Sequence, residues 1–268
     1  MAKYKKKRAR ELQHDRFRDA TMSFFDRLGD LLAGRGRTIL YGLGGLILAG
    51  LIVLLFVKWS NRKSDEARQA LGRAITIQKA AVMATPLPGT TELTFTTEKE
   101  RAQKAVEEFE KVAAKYGDPY RSESQYFIAV NRLVLDRQKG IGELEALAKS
   151  DVSEVGPLSK FALAQAYESD GKLNEAAQLY SDLAKLNSVT ITSDTANLRL
   201  AKVYEKLGKK KEASDLLFNI VDASRKAKDA ENLPVPQTEA AREAAEELKK
   251  IDPERFAQLP PEAPFLAG

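Results

Sequence analysis

The side chains that most often carry catalysis or bind metals are scarce in this sequence. It contains no cysteine and one histidine, His14, so thiol nucleophiles, thiolate metal sites, disulfides and mechanisms that need two imidazoles are excluded. His14 lies in a basic segment, and we interpret it as a solvated side chain. Any chemistry would therefore have to use carboxylates, hydroxyls or the main chain.

The carboxylates do not form a catalytic pattern. Glu107 and Glu108 stand beside Lys111 in a run that is typical of a solvated helix face. The sequence has no Gly-rich phosphate loop, no G-x-S-x-G motif and no paired His, Asp and Ser set. We expect no enzyme activity, no metal or other cofactor, and no small-molecule substrate.

The positive charge is confined to one end of the chain. The net charge is +5, but residues 1–57 contain eleven Lys and Arg against five Asp and Glu, and the remainder sums to −1. A basic arm beside a hydrophobic segment is first a signal of membrane topology. We therefore do not expect nucleic acid as a partner.

A hydrophobic segment follows the basic arm. Residues 38–57 read TILYGLGGLILAGLIVLLFV, without a charged side chain. A helix of this length rises about 30 Å, the thickness of the hydrocarbon core of a bilayer. The segment is longer than the apolar region of a signal peptide, and no A-x-A-like cleavage site follows it. The sequence predicts a single uncleaved transmembrane helix.

The flanking charges predict its orientation. More basic residues precede the segment than follow it, which places residues 1–37 in the cytoplasm and the rest of the chain outside. Residues 12–31 have the spacing of an amphipathic helix, which would lie on lipid headgroups or on a partner. Gly42, Gly45 and Ala49 share one face of the span. This face either packs against another membrane helix or reflects the frequency of glycine in such helices.

Two later segments repeat each other. Residues 158–184 and 195–221 align with a shift of 37, and the aligned pairs include Leu163 with Leu200, Ala164 with Ala201, Tyr167 with Tyr204, Gly171 with Gly208 and Ala176 with Ala213. Repetition at such a period indicates stacked helix pairs. The glycines would adopt the left-handed turn that ends a first helix, and the alanines would allow close packing. The pattern resembles the tetratricopeptide repeat, with three inserted residues and without its terminal proline.

Weaker copies lie upstream, and a cap lies downstream. The predicted helices are 64–84, 102–116 with a Thr97-x-x-Glu100 capping box, 122–135 opening at Ser122-x-x-Gln125, and 141–149. A helix over 238–251 would cover the last repeat, Asp252-Pro253 would begin one more turn, and 259–268 would be a loose tail. The predicted fold is all-α, with an arm (1–37), a membrane span (38–57), a repeat domain (58–232) and a cap with a Pro-rich tail (233–268).

The repeat pattern also predicts a binding groove. First helices line the inner face of such a stack, and we expect that face to hold another protein. The projected groove residues are Tyr126, Val130, Leu158, Phe161, Gln165, Leu198 and Lys202. The alternative is that the apolar members are ordinary packing between helices.

The layout as a whole resembles the ancillary SecYEG translocon subunit family of bacterial inner membranes, in its basic arm, its anchor and its external tetratricopeptide-like domain. The resemblance implies a periplasmic helper near the export channel, with SecYEG and membrane-anchored chaperones of the PpiD type as partners. The longer arm, the additional C-terminal helix and the proline tail depart from that family. Alternatives are a scaffold for cell-envelope assembly or division, and a repeat protein secreted after cleavage.

Overall fold

The computed structural model describes residues 63–83, 93–152, 154–186 and 188–262. The predicted arm, the membrane span with Gly42, Gly45 and Ala49, and the last six residues lie outside this part of the chain, so predictions about them remain predictions. Among the described residues, no helix is both long enough and apolar enough to cross a membrane.

Helices make up most of the described chain. They are α1 (63–79), α2 (Glu98–Lys115), α3 (Tyr120–Leu135), α4 (Arg137–Leu147), α5 (Val155–Ser169), α6 (Leu173–Ala184), α7 (Ser193–Lys206), α8 (Lys210–Lys226), α9 (Glu239–Ile251) and α10 (Pro253–Phe256). Residues 66–268 form one compact unit, in which helices pack mainly on their neighbours in sequence. This is the arrangement of a stacked helical repeat.

One small sheet departs from the all-α prediction. Strand β1 (Ala81–Val82) pairs in parallel with β2 (Thr94–Phe95), and Met83 N–H donates to the Phe95 carbonyl at 2.8 Å. The prediction of a helix over 64–84 is therefore wrong at its C-terminal end. The Ala80 amide still donates to the Ile77 carbonyl at 3.2 Å, three residues back, and the chain then leaves the helix for the sheet.

The predicted capping box at the start of α2 is present in a modified form. Thr97 Oγ1 accepts from Glu100 N–H at 3.1 Å, as predicted. The Glu100 carboxylate accepts mainly from the amide and the hydroxyl of Thr96, at 3.0 and 2.6 Å. These hydrogen bonds lower the pKa of Glu100. Helix α2 begins at Glu98, directly after the predicted cap at Thr97.

Aspartate carboxylates accept amides in the first turns of the next two helices. Helix α3 begins at Tyr120, two residues early, because Asp118 accepts from the Ser122 amide at 3.2 Å. Helix α4 begins at Arg137, four residues early, where the side chain of Asp136 accepts from Lys139 N–H at 3.1 Å. In both cases a carboxylate satisfies an amide that the first turn leaves without a helical acceptor.

Small residues allow α4 and α5 to pack closely against their surroundings. A Cβ atom on Gly140 would lie 2.7 Å from Leu133 N and 2.9 Å from Ala129 O, both in the backbone of α3. A Cβ atom on Gly156 would lie 2.6 Å from Ser150 O. Glycine is therefore required at both positions, because backbone atoms cannot move aside as a flexible side chain can.

The two aligned repeats have the same turn. Gly171 and Gly208 have φ angles of +74° and +75°, which confirms the predicted left-handed conformation. In the first turn, Lys172 N–H donates to Tyr167 O at 2.9 Å, and in the second Lys209 N–H donates to Tyr204 O at 2.8 Å. Each lysine also places its ammonium over the tyrosine ring, 5.2 and 5.3 Å from the centroid. Sequence repetition at 37 residues thus corresponds to structural repetition.

The C-terminal segment closes the stack. Helix α9 begins at Glu239 behind a Thr238 cap and packs on α8, as predicted, and α10 begins at Pro253. The prediction of a loose tail from residue 259 is wrong for its first two residues. The Leu259 side chain is buried in the α8–α9 core, and the Pro260 carbonyl accepts from the Arg225 guanidinium.

Candidate functional site

Helix α5 contributes the central part of the projected groove. Gln165 is exposed, and Leu158 and Phe161 are half-buried. These three residues lie three and four positions apart, so they share one face of the helix. The Phe161 ring meets the Tyr180 ring of α6 edge to face, with centroids 5.7 Å apart. Phe161 therefore belongs partly to the core and partly to the surface.

Helix α3 contributes less open surface than its sequence suggested. Tyr126 and Val130 are half-buried and pack against the cluster that contains Ala162 and Leu163 of α5. Burial raises the pKa of Tyr126. These two side chains fill the seam between α3 and α5, which is the packing alternative considered above. The exposed apolar side chain at the end of α3 is Val134, which was not among the projected residues.

The two projected groove residues of α7 are engaged in contacts with α9. Leu198 is only 4% exposed and lies in the core with Ala241 and Leu248 of α9. Lys202 forms an ion pair with Glu243 of α9. Leu198 therefore does not line an open groove, because α9 packs on this face as a further first helix would.

A polar network that the sequence did not reveal lies between α5, α6 and α7. The Glu168 carboxylate of α5 pairs with Lys206 of α7 and accepts a hydrogen bond from Tyr180 of α6 at 3.3 Å. Burial, and then the Glu168 charge, raise the pKa of Tyr180, and the Arg199 charge opposes this shift.

A second tyrosine forms a similar link one layer earlier. The Tyr167 hydroxyl of α5 donates to Glu145 of α4 at 2.6 Å. This hydrogen bond raises the pKa of Tyr167 to about 12. The repeat pattern aligned Tyr167 with Tyr204, but it could not identify the Glu145 acceptor, which lies in the preceding helix pair.

The described residues offer no evident metal site. Across 63–83, 93–152, 154–186 and 188–262, no three His, Asp or Glu side chains are grouped so that they could hold a metal ion. The carboxylates there are instead distributed over helix surfaces and caps, for example in the Lys104–Glu107 pair at 3.1 Å.

Known proteins with a similar fold are few among the matches to this chain. No family model and no curated protein matches the chain. Two crystal structures are similar, both of a Podosopora anserina protein with nearly identical TPR-like repeats that is assigned as a kinesin light chain, one of them a point variant. Each is 22% identical to this chain, with a TM-score of 0.48, and the match covers 69% of this chain and 85% or 84% of that protein. No functional conclusion follows from a likeness at this level.

The architecture is nevertheless evident in the structure itself, because its helices pair, share the same turn and stack in chain order. The described chain is a stack of TPR-like helix pairs. Of the seven projected groove residues, Leu158, Phe161 and Gln165 remain on or near an open face, whereas Leu198 lies in the core.

Proposed function

We propose that this chain is a membrane-anchored repeat protein that binds other proteins through the open face of α5. One observation carries the proposal: Gln165 is exposed beside the half-buried Leu158 and Phe161, in a stack whose last pair is already covered by α9. Stacked helix pairs offer extended surfaces of this kind to partners. The proposal includes no catalytic role.

The anchor in this proposal is the span over 38–57. Its length, its lack of charge and the basic arm before it support a single-pass protein with a cytoplasmic N-terminus. In a bacterial inner membrane, the stack would then lie in the periplasm. Carbonate washing should leave the full-length chain in the membrane pellet, and protease added to spheroplasts should digest the stack. Recovery in the soluble fraction would contradict the anchor, and protection from protease would reverse the orientation.

The partners in this proposal are the SecYEG channel and membrane-anchored chaperones of the PpiD type. The support is the resemblance in layout to the ancillary translocon subunits, namely a basic arm, one anchor and an external helical repeat. A scaffold for envelope assembly or division would have the same layout, so the captured partner must distinguish the two.

Site-specific photo-crosslinking in intact cells tests this role. A photoreactive amino acid in place of Gln165 should give adducts with translocon subunits or PpiD-type chaperones. The same amino acid in place of Glu246, exposed on the outer side of α9, is the control. Adducts with division or outer-membrane assembly proteins would favour the scaffold. Identical products from both positions would contradict a binding role for the α5 face.

A further inference from the structure

The alternating directions of the helices give the stack two edges. Helices α1 and α2 run antiparallel, because Lys115 at the end of α2 pairs with Glu66 at the start of α1, at 3.6 Å. Each later helix up to α9 packs on the one before it through a short connection, so the direction continues to alternate. Helices α1, α3, α5, α7 and α9 therefore all begin at the same edge, which we call the N-edge.

Exposed aliphatic side chains are concentrated at the N-edge. Among the described residues, six large apolar side chains are exposed, and four of them lie in the loops that form this edge. The turns at the opposite edge are more highly charged, and the α7–α8 turn ends in three exposed lysines at 209–211. The four side chains are Leu186 and Val189 in the α6–α7 loop, and Leu233 and Val235 in the α8–α9 loop.

The α6–α7 loop holds Val189 outward through contacts on both sides of it. Ile191 is buried in the core, and its amide donates to Ser188 Oγ at 3.0 Å. The Ser188 hydroxyl donates to the carboxylate of Glu154 at the start of α5, which also accepts from Thr190 N–H at 3.3 Å. Val189 stands between these tied residues and is 87% exposed. Its exposure therefore follows from fixed contacts of its neighbours.

The α8–α9 loop satisfies its own backbone. From residue 231 to residue 236, every amide is bonded within the loop or is absent because the residue is proline. The Asp229 carboxylate accepts from two of these amides, at 2.9 Å each, and Val235 N–H donates to the Ala227 carbonyl at 3.1 Å. Such a loop can enter an apolar layer without leaving unpaired donors. The two prolines also lack the N–H groups that a strand of another protein would need.

Chain connectivity limits how far from the proposed membrane span α1 can begin. The span ends at residue 57, and α1 begins at residue 63. At about 3.6 Å per residue, a fully extended chain between these two positions reaches about 22 Å. A short tether of this kind gives an effective concentration of about 1 mM, so a weak contact between the N-edge and lipid suffices for docking.

We propose that the N-edge docks on the bilayer, with Val189, Leu233 and Val235 inserted among the lipid headgroups. Lipid is the occupant because the anchor holds this edge close to it and because the loop backbone needs no further partner. The neighbouring charges Lys228 and Glu231 have opposite signs, so apolar contact supplies the attraction and docking persists at high salt. This inference rests on the anchor in the proposed function and adds a second membrane contact.

Fluorescent labels on single cysteines test the docking in the full-length chain, reconstituted in liposomes. The chain has no cysteine, so each introduced cysteine is a unique attachment site. An environment-sensitive fluorophore at Val189→Cys or Leu233→Cys should emit at a shorter wavelength and be quenched by a nitroxide on the lipid headgroups. The same label at Val134→Cys, an exposed valine at the opposite edge, should show neither effect.

Aspartate substitutions test whether the aliphatic side chains cause the docking. The label is placed at Ala230→Cys, an exposed position in the α8–α9 loop. Val189→Asp combined with Leu233→Asp should weaken the docking equilibrium about ten-fold or more and so reduce the quenching of this label. Val134→Asp makes the same change at the opposite edge and should leave the quenching as it is. Far-UV circular dichroism and the melting temperature of each variant verify the helical stack.

The anchor and the docking fail in different ways. If the full-length chain does not float with the liposomes, the anchor is contradicted, together with the docking that depends on it. If the chain floats but the labels at 189 and 134 behave alike, or if the aspartate variant is quenched like the wild type, the docking is wrong and the anchor stands. A shifted emission at 189 without quenching by lipid would place a protein surface there and would contradict docking on lipid.

Discussion

Ser214 of α8 donates a hydrogen bond to the Asp252 carboxylate at 2.6 Å, although 38 residues separate them in sequence. The same carboxylate accepts from Arg255 N–H at 3.1 Å and so caps α10. A second tie lies close by, where Arg255 pairs with Asp215 of α8 at 2.6 Å. The short helix α10 is thus fastened to α8 by side chains at both of its termini.

The Asp252 contacts predict a pH dependence of stability. The Ser214 hydrogen bond, and then the Arg255 amide, lower the pKa of Asp252 below 3.8. A carboxylate with a lower pKa in the folded chain stabilises the fold above its unfolded pKa, and this contribution is lost as pH falls through the folded pKa. Asp252→Asn should therefore lower the melting temperature at neutral pH. The difference from wild type should shrink below pH 3.8, and a constant difference would contradict the assignment.

Two glycines in α4 should respond oppositely to alanine. Gly140→Ala places a Cβ against the backbone of α3 and should lower the free energy of unfolding by about 1–3 kcal/mol, as overpacking does. Gly142→Ala meets nothing within 4 Å and should raise it by about 0.5–1 kcal/mol, because alanine favours the helix. Denaturant titration of both variants measures the difference. Equal effects would contradict the close contact of α3 and α4.

The left-handed turns predict a second contrast. Gly171→Ala and Gly208→Ala should each cost about 1–2 kcal/mol, since a Cβ atom disfavours positive φ. Asparagine tolerates this conformation better, so Gly171→Asn and Gly208→Asn should cost less than the alanine variants. Melting temperatures rank the stability of these variants. An alanine variant as stable as its asparagine counterpart would contradict the left-handed conformation of the turn.

The docked tail gives a fourth test. Leu259→Ala should cost about 2 kcal/mol, the low end for a buried leucine, because a segment near the chain end can relax. Pro261→Ala, at an exposed position, is the matched control and should change little. Hydrogen exchange at the end of α9 should rise in the first variant only. A Leu259 variant that behaves like the control would contradict the docking of the tail and would favour the loose tail that the sequence predicted.

Much of the repeat could be predicted because its signals are local. The left-handed glycines at 171 and 208, the helix that ends at Ile251 and the extra turn after Asp252 each depend on a few neighbouring residues. The carboxylate acceptors Asp118 and Asp136 were missed, and for the first of these helices Ser122 was chosen instead, because serine and aspartate both satisfy helix amides.

The site depended on contacts between distant segments, which local patterns do not encode. Leu198 matches Phe161 in the aligned repeat, yet the first is buried by α9 and the second is half-exposed. The Glu168–Lys206 pair likewise joins residues 38 positions apart, and the repeat pattern does not predict it.

The charged outer side of α9 also prevents further helix pairs from stacking on this end of the chain's helical stack. Arg242, Glu246, Lys249 and Lys250 are exposed there, while Ala241, Ala244 and Leu248 face the core. A bare final pair would present an apolar surface on which another molecule could continue the stack. Helix α9 instead presents hydrated charges at that terminus. It therefore acts as a stop against end-to-end polymerisation there, and leaves recognition to the sides of the stack.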